Sequence, residues 1–154
     1  MWTLAQRERL ALEHQMLHSQ GMTQFSVFHE SRDDSYYLFG TAQTNAGRSY
    51  DLYAPIPQGF PDQRPSLYVT KPNPLRMADS RALSDLGISH SMHTLSPAAS
   101  GAVQICHWRD AQWHAAITLH RLMLKALLWL EAYEQHLATG RSIDAFVRTM
   151  GGST

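Results

Sequence analysis

Cysteine is almost missing from this chain: one thiol, Cys106, in 154 residues. A single cysteine closes no intramolecular disulfide and builds no cysteine-rich zinc knuckle. Asparagine is nearly as scarce, present only as Asn45 and Asn73. A dominant charge sign is missing too. Thirteen basic and thirteen acidic residues cancel to a formal net charge of zero, which removes broad attraction to nucleic acid or to an anionic membrane surface. No long apolar run is present. The most apolar stretch, Leu119 to Leu130, is broken by His120, Arg121 and Lys125 and is too short to span a bilayer. The first nine residues, Met1 to Arg9, hold no continuous apolar segment of the kind a signal peptide requires. A lone thiol and no export signal give a cytoplasmic location as the expectation.

What is present points to a folded globule. Apolar residues make up 44% and charged residues 17%, a balance that argues against disorder. A chain of this length fits one domain that buries roughly 70% of its unfolded surface. We expect a single domain over residues 1–150 and a flexible tail over 151–154, Gly151-Gly152-Ser153-Thr154. Nine histidines make the charge climb below neutral pH.

Along the chain, the pattern predicts a helix over 2–19, with Leu4, Leu10, Leu12, Met16 and Leu17 as a ragged apolar face and Gly21 as its stop. From Thr23 the period becomes two. Strands are predicted around Phe25 and Val27, over Tyr36 to Thr44, over Ser49 to Ile56 and at Leu67 to Thr70, with turn chemistry between the first three. Between the third and fourth strands, Pro55 to Pro65 holds four prolines in eleven residues, which predicts a rigid, extended connection. Residues 71–104 read as mostly irregular, with a short helix near 78–86. A long loop of this kind in a compact domain is functional or mobile. Leu119, Leu122, Met123, Ala126, Leu127, Leu130, Tyr133 and Leu137 follow helical spacing, with Gly140 as C-cap. Ser142 opens a last short helix carrying Ile143, Phe146 and Val147. Leu124, Leu128 and Trp129 widen the apolar stripe of the long helix enough for it to meet a partner. The order of elements gives an α+β fold, with an N-terminal helix, a four-stranded antiparallel meander and C-terminal helices.

The candidate chemistry centres on Ser100-Gly101-Ala102-Val103-Gln104-Ile105-Cys106-His107-Trp108. Cys106 ends a short apolar segment and is either an exposed nucleophile or a small buried hydrophobe, the commoner fate of a lone cysteine. His107 is a poor partner for it, because neighbouring side chains in an extended segment point to opposite faces. His90 and His93, in Ser89-His90-Ser91-Met92-His93, are the histidines available to act on Cys106, or else they cap and pack the loop. The spacing of His90, His93, Cys106 and His107 is not one used for zinc. A Cys-His hydrolase is an alternative, with Asp110 as its acid. Trp108, Trp113 and Trp129 read as packing anchors. The tyrosines on the strands lack the interleaved basic residues of a base-stacking platform.

The run Pro57-x-x-Phe60-Pro61-x-x-x-Pro65, followed by Gly101, Ile105-Cys106 and Trp113, resembles the ubiquitin-conjugating enzymes. The resemblance spans residues 2 to 138 and implies their fold: helix, four-stranded meander, proline-rich crossing, active-site loop, helices. It also implies their activity. Cysteine accepts a protein's C-terminal carbonyl as a thioester and passes it to an amine, with no cofactor at that step and with any ATP-dependent activation on a separate enzyme. The usual His-Pro-Asn triplet just before the cysteine is missing here. Asn73, directly after the fourth strand, is the candidate for the oxyanion side, and His93, ahead of His90, for orienting or deprotonating. The Met-His loop and Trp129-Leu130-Glu131-Ala132-Tyr133-Glu134 are similar to bacterial members of CBASS-type antiphage islands. There the resemblance implies a partner, the C-terminal tail of a cGAS-like nucleotidyltransferase. A non-catalytic binding module of the same fold is the remaining alternative.

Overall fold

The computed structural model describes residues 1–151, with side chains described to residue 147. Helix α1 (Leu4–Ser19) is followed by strands β1 (Phe25–Glu30), β2 (Ser35–Gln43), β3 (Ser49–Ile56), β4 (Tyr68–Lys71), β5 (Thr94–Leu95) and β6 (Val103–Ile105). Helices α2 (Leu119–Thr139) and α3 (Ile143–Gly151) complete the chain. The architecture is α+β, as the pattern predicts, but the antiparallel sheet has six strands, ordered β1-β2-β3-β4-β6-β5. Gly151 belongs to α3, and the rest of the expected tail, 152–154, lies outside the described residues.

Helix α1 begins two residues later than predicted because Thr3 caps it. The Thr3 hydroxyl accepts the Gln6 amide (3.1 Å), and the Gln6 side chain accepts the Thr3 amide (2.9 Å). This reciprocal box satisfies two otherwise orphaned donors. Trp2 is left outside the helix and is buried, its indole N–H donating to the Asp34 carbonyl at 2.7 Å. Of the predicted apolar face only Leu10 and Leu17 are buried, while Leu4, Leu12 and Met16 are exposed. The helix instead meets β1 with histidines. His14 Nδ1 accepts the Val27 amide and His18 Nε2 meets the Phe25 carbonyl.

The meander β1–β4 follows the period-two reading. Along β3, Tyr50, Leu52, Ala54 and Ile56 are buried and alternate with half-exposed residues. Their partners across β2 pair Tyr36 with Ile56 through Gln43 with Ser49. Gly40 is required where β2 passes β1, since a Cβ there would overlap the Gln24 carbonyl and the Phe25 ring. The buried sheet face packs against α2, whose Leu119, Leu122, Met123, Ala126, Trp129, Leu130 and Tyr133 form the other half of the core. Glu13 locks the two helices together. Its carboxylate is 1% exposed, pairs with Arg9 at 2.8 Å and accepts the first amide of α2, Leu119 N–H, at 2.8 Å. A carboxylate at a helix N-terminus meets the positive end of the helix dipole. Gly140, at φ 77°, ends α2 in the left-handed region.

One connecting segment departs from expectation and the other follows it. The proline-rich connection is not extended but folds into tight turns, closed by Phe60 N–H to Pro57 O (3.0 Å) and Asp62 N–H to Gly59 O (2.9 Å), with the Phe60 ring fully buried. Residues 71–104 are mostly turns and irregular chain, as the pattern predicts, but they are fastened into the fold. Leu75, Met77 and Leu83 enter the core, a 3-10 turn spans Leu83–Leu86, and β5 and β6 extend the sheet. Tyr133 and His136 of α2 fasten this segment by hydrogen bonds to Arg76 O and Ala78 N–H. Among the described residues no helix is long and apolar enough to cross a membrane.

Candidate active site

Strand β6 is fully buried, and Cys106 is the first residue beyond it to regain solvent. The pairing Thr94↔Ile105 between β5 and β6 sets His93 directly across from Cys106. The Cys106 amide donates to the His93 carbonyl at 2.9 Å. Cys106 and His93 line one cleft of about 160 Å³, together with Ile88, Ser89, His90, Thr94 and Leu95.

His93 sits on a closed hairpin loop. Ser89 and Thr94 exchange two backbone hydrogen bonds of 3.0 Å, and the Ser89 hydroxyl accepts the Met92 amide. Met92 is buried, and its carbonyl accepts the Trp129 indole N–H at 3.0 Å. His93 itself has φ 51°, in the left-handed region that is costly for a side chain-bearing residue. Its Nε2 lies 2.7 Å from Asp144 Oδ1, with the two side chains 22% and 19% exposed. His90, 75% exposed, stands 3.9 Å from the same oxygen. The Asp144 amide donates to Ser91 O at 2.8 Å, so α3 holds this loop by backbone as well as side chain.

His107 is held in a different way. Its Nδ1 accepts the Trp108 amide (2.7 Å), and Nε2 meets the Pro65 carbonyl (2.8 Å). An amide can only donate and a carbonyl can only accept, so the neutral Nε2–H tautomer is fixed. Burial, helped by the nearby Arg64 charge, pushes the imidazole down to about 4. With Pro61 O accepting the Trp113 indole at 2.9 Å and Leu67 O accepting the Ile105 amide at 2.9 Å, the proline-rich turns are stitched to the cysteine segment. The proline signature thus supports the thiol's backbone from below.

The structure does not bring Asn73 to Cys106. Strands β4 and β6 are antiparallel, Tyr68 facing Gln104 and Val69 facing Val103. The end of β4 therefore faces the start of β6, and Asn73 binds Ser100 O at 3.0 Å. Cys106 is at the other end, six residues beyond Ser100, or up to about 20 Å of chain at about 3.3 Å per residue. Asn73 shapes the turn before β6 and is no oxyanion donor to this thiol. Asp110 also stands apart, paired with Arg64 at 2.8 Å and exposed.

Two residues near the site escaped the sequence reading. Asp144 lies in a short helix with no motif to mark it. Lys125 had a signal, as the cation inside the apolar stripe of α2 and one of two lysines in the chain, with Lys71. It is half-buried. Its ammonium lies 3.7 Å from the Trp108 ring centre and 3.4 Å from the His107 carbonyl. Burial first, then Arg121, push its pKa down, and the nearby Cys106 pulls the other way. Among the described residues no group of three or more His, Cys, Asp or Glu side chains is placed to hold a metal ion. Compared with models of protein families, with curated proteins and with solved structures, the chain gives no match.

Proposed function

We propose that this chain is a thioester-forming protein-conjugating enzyme of the ubiquitin-conjugating type, with Cys106 as nucleophile and His93 as the group that takes up and returns protons. The observation that carries this reading is the β5–β6 pairing, which sets His93 against a partly exposed Cys106 at the mouth of one cleft. The order of helix, antiparallel strands and C-terminal helices, with the proline turns bonded to the cysteine segment, also supports it.

The Cys106 thiolate attacks an activated C-terminal carbonyl of the carried protein, the activating group leaves with its electron pair, and a thioester remains. An acceptor amine then attacks the same carbonyl, the thiolate departs, and the amine's proton passes to His93. His93 is suited to this because its ring stands partly exposed at the cleft that Cys106 lines, whereas His107 is fixed as a neutral structural ring. The half-buried Lys125 ammonium adds positive charge on the Cys106 side, where both thiolate and oxyanion are favoured. We take the carried tail to be that of a cGAS-like nucleotidyltransferase in an antiphage island, as the resemblance implies. A net charge of zero suits a protein tail better than a nucleic acid.

The test is co-expression with the products of the neighbouring genes, followed by non-reducing gels and intact mass. A thiol-reducible adduct is expected on the native chain. Cys106→Ala should form none, and Cys106→Ser should hold a thiol-resistant ester. A reducible adduct on Cys106→Ala would sink the assignment. One observation favours a second reading: the His93–Asp144 contact gives the site a Cys, a His and an acid, the set a thiol hydrolase uses. A hydrolase turns over a thioester substrate many times without accumulating an adduct, and that outcome would replace the conjugating reading.

A further inference from the structure

We propose that Asp144 is a positioning residue of this site: by holding Nε2 of His93 it fixes the ring's tautomer and orientation toward Cys106, so that α3 completes the active site. The inference rests on Cys106 and His93 being the reactive pair. It does not require that the acyl group carried be a protein.

A carboxylate accepts only, so the 2.7 Å contact requires the hydrogen of His93 to sit on Nε2. Nδ1 is then the acceptor nitrogen, and it makes no hydrogen bond among the described residues. This is the arrangement in which an acid orients an imidazole for an adjacent nucleophile. Ordinary packing does not account for it well. His93 adopts φ 51°, and the hairpin is closed by Ser89–Thr94, by Trp129 on Met92 O and by Asp144 N–H on Ser91 O. Three elements thus hold one histidine in a costly backbone conformation, and the ring so held reaches both an acid and the rim of the thiol's cleft. Strain of that kind collects at functional sites. Among the described residues, the charged and titratable groups around the pair are Asp144 from α3, His90 from the same loop, Cys106 from the end of β6 and Lys125 from α2.

Two measurements on the full chain test this. The first needs no substitution: 15N correlation spectra of the imidazoles above neutral pH should show His93 as the Nε2–H tautomer. An Nδ1–H tautomer would overturn the proposal. The second is the rate of iodoacetamide alkylation against pH. Cys106 is the only thiol in the chain, so the rate reports it alone. Asp144→Asn keeps the shape and the amide bond to Ser91 but removes the charge. It should slow alkylation at pH 7 about tenfold, the change worth one pH unit in the rate profile, and move that profile to higher pH. Asp144→Glu should recover part of the loss. His93→Gln combined with Asp144→Asn should lose no more than His93→Gln alone, because the two act as one unit. An Asp144→Asn profile that overlays the native one, with His93→Gln altered, would reduce Asp144 to a fastener of α3. If the native chain never forms a reducible adduct yet the profiles shift as described, the conjugating function fails while the role of Asp144 stands.

Discussion

His107 follows Cys106 in the chain, and His93 faces it from across a strand pair. The neighbour in sequence is buried and held neutral between an amide and the Pro65 carbonyl. The neighbour in space is partly exposed, strained and held by an acid. One imidazole has had its chemistry removed by two hydrogen bonds and burial, and it fastens the proline turns to the cysteine segment. The other keeps one nitrogen without a hydrogen bond among the described residues. The difference comes from strand geometry. Consecutive residues leave an extended segment on opposite faces, whereas cross-strand partners share a face.

Exchanging the two roles by mutation is the direct way to break this contrast. His93→Gln should cost the most in function: acyl transfer in single-turnover assays should fall roughly 100-fold, the lower end for a lost acid–base group, with the thermal midpoint unchanged. A midpoint that fell with the rate would make His93 structural. His107→Ala should do the reverse. It empties a buried site and orphans two partners, at a cost of about 3 kcal/mol in urea denaturation, while the refolded protein keeps its alkylation rate.

Acid sharpens the same contrast. Unfolded, His107 titrates near the ordinary value of about 6.5; folded, it is held down to about 4. Between those values the unfolded state binds more protons, so this contribution is intact above about pH 6.5 and is lost as pH falls toward 4. The loss is on the order of 2–3 kcal/mol, and denaturation curves of His107→Asn should lack it. Smaller effects follow on either side of the thiol. Lys125→Met should slow alkylation about threefold, with the difference shrinking as salt rises. Asn73→Ala should cost about 1 kcal/mol or less and leave alkylation untouched. Slowed alkylation there would return Asn73 to the site.

Long periodic segments made most of this fold legible. Strands β2 and β3 and the helix α2 carry enough repeats to fix their type, and Gly140 marks an end that φ 77° accounts for. Strands β5 and β6, at two and three residues, are too short to show a period, and only their pairing defines them. Cys106 was readable as a candidate because it is the one thiol of the chain, and His93 because its loop lies ahead of that thiol where the usual triplet is missing. Asp144 was not, since its meeting with His93 depends on α3 folding back onto a loop 51 residues earlier. Asn73 was misplaced for a related reason. Sequence puts it just after β4, but antiparallel register carries that end of the strand away from the thiol. Thr3 and Gln6, by contrast, held a capping signature that the apolar pattern alone passed over.

On the conjugating reading proposed above, the pinned Lys125 bears on how a thioester would survive on this chain. An acyl thioester is consumed by any amine that reaches it, and the commonest amines on a protein are its lysines. This chain carries eleven arginines and two lysines. Guanidinium groups stay protonated at any ordinary pH and do not acylate. One lysine, Lys71, closes the far end of β4, and the other is tethered over the Trp108 ring and beside the His107 carbonyl. Positive charge is thus supplied mostly as guanidinium, a form that would not compete with an acceptor amine for such a bond.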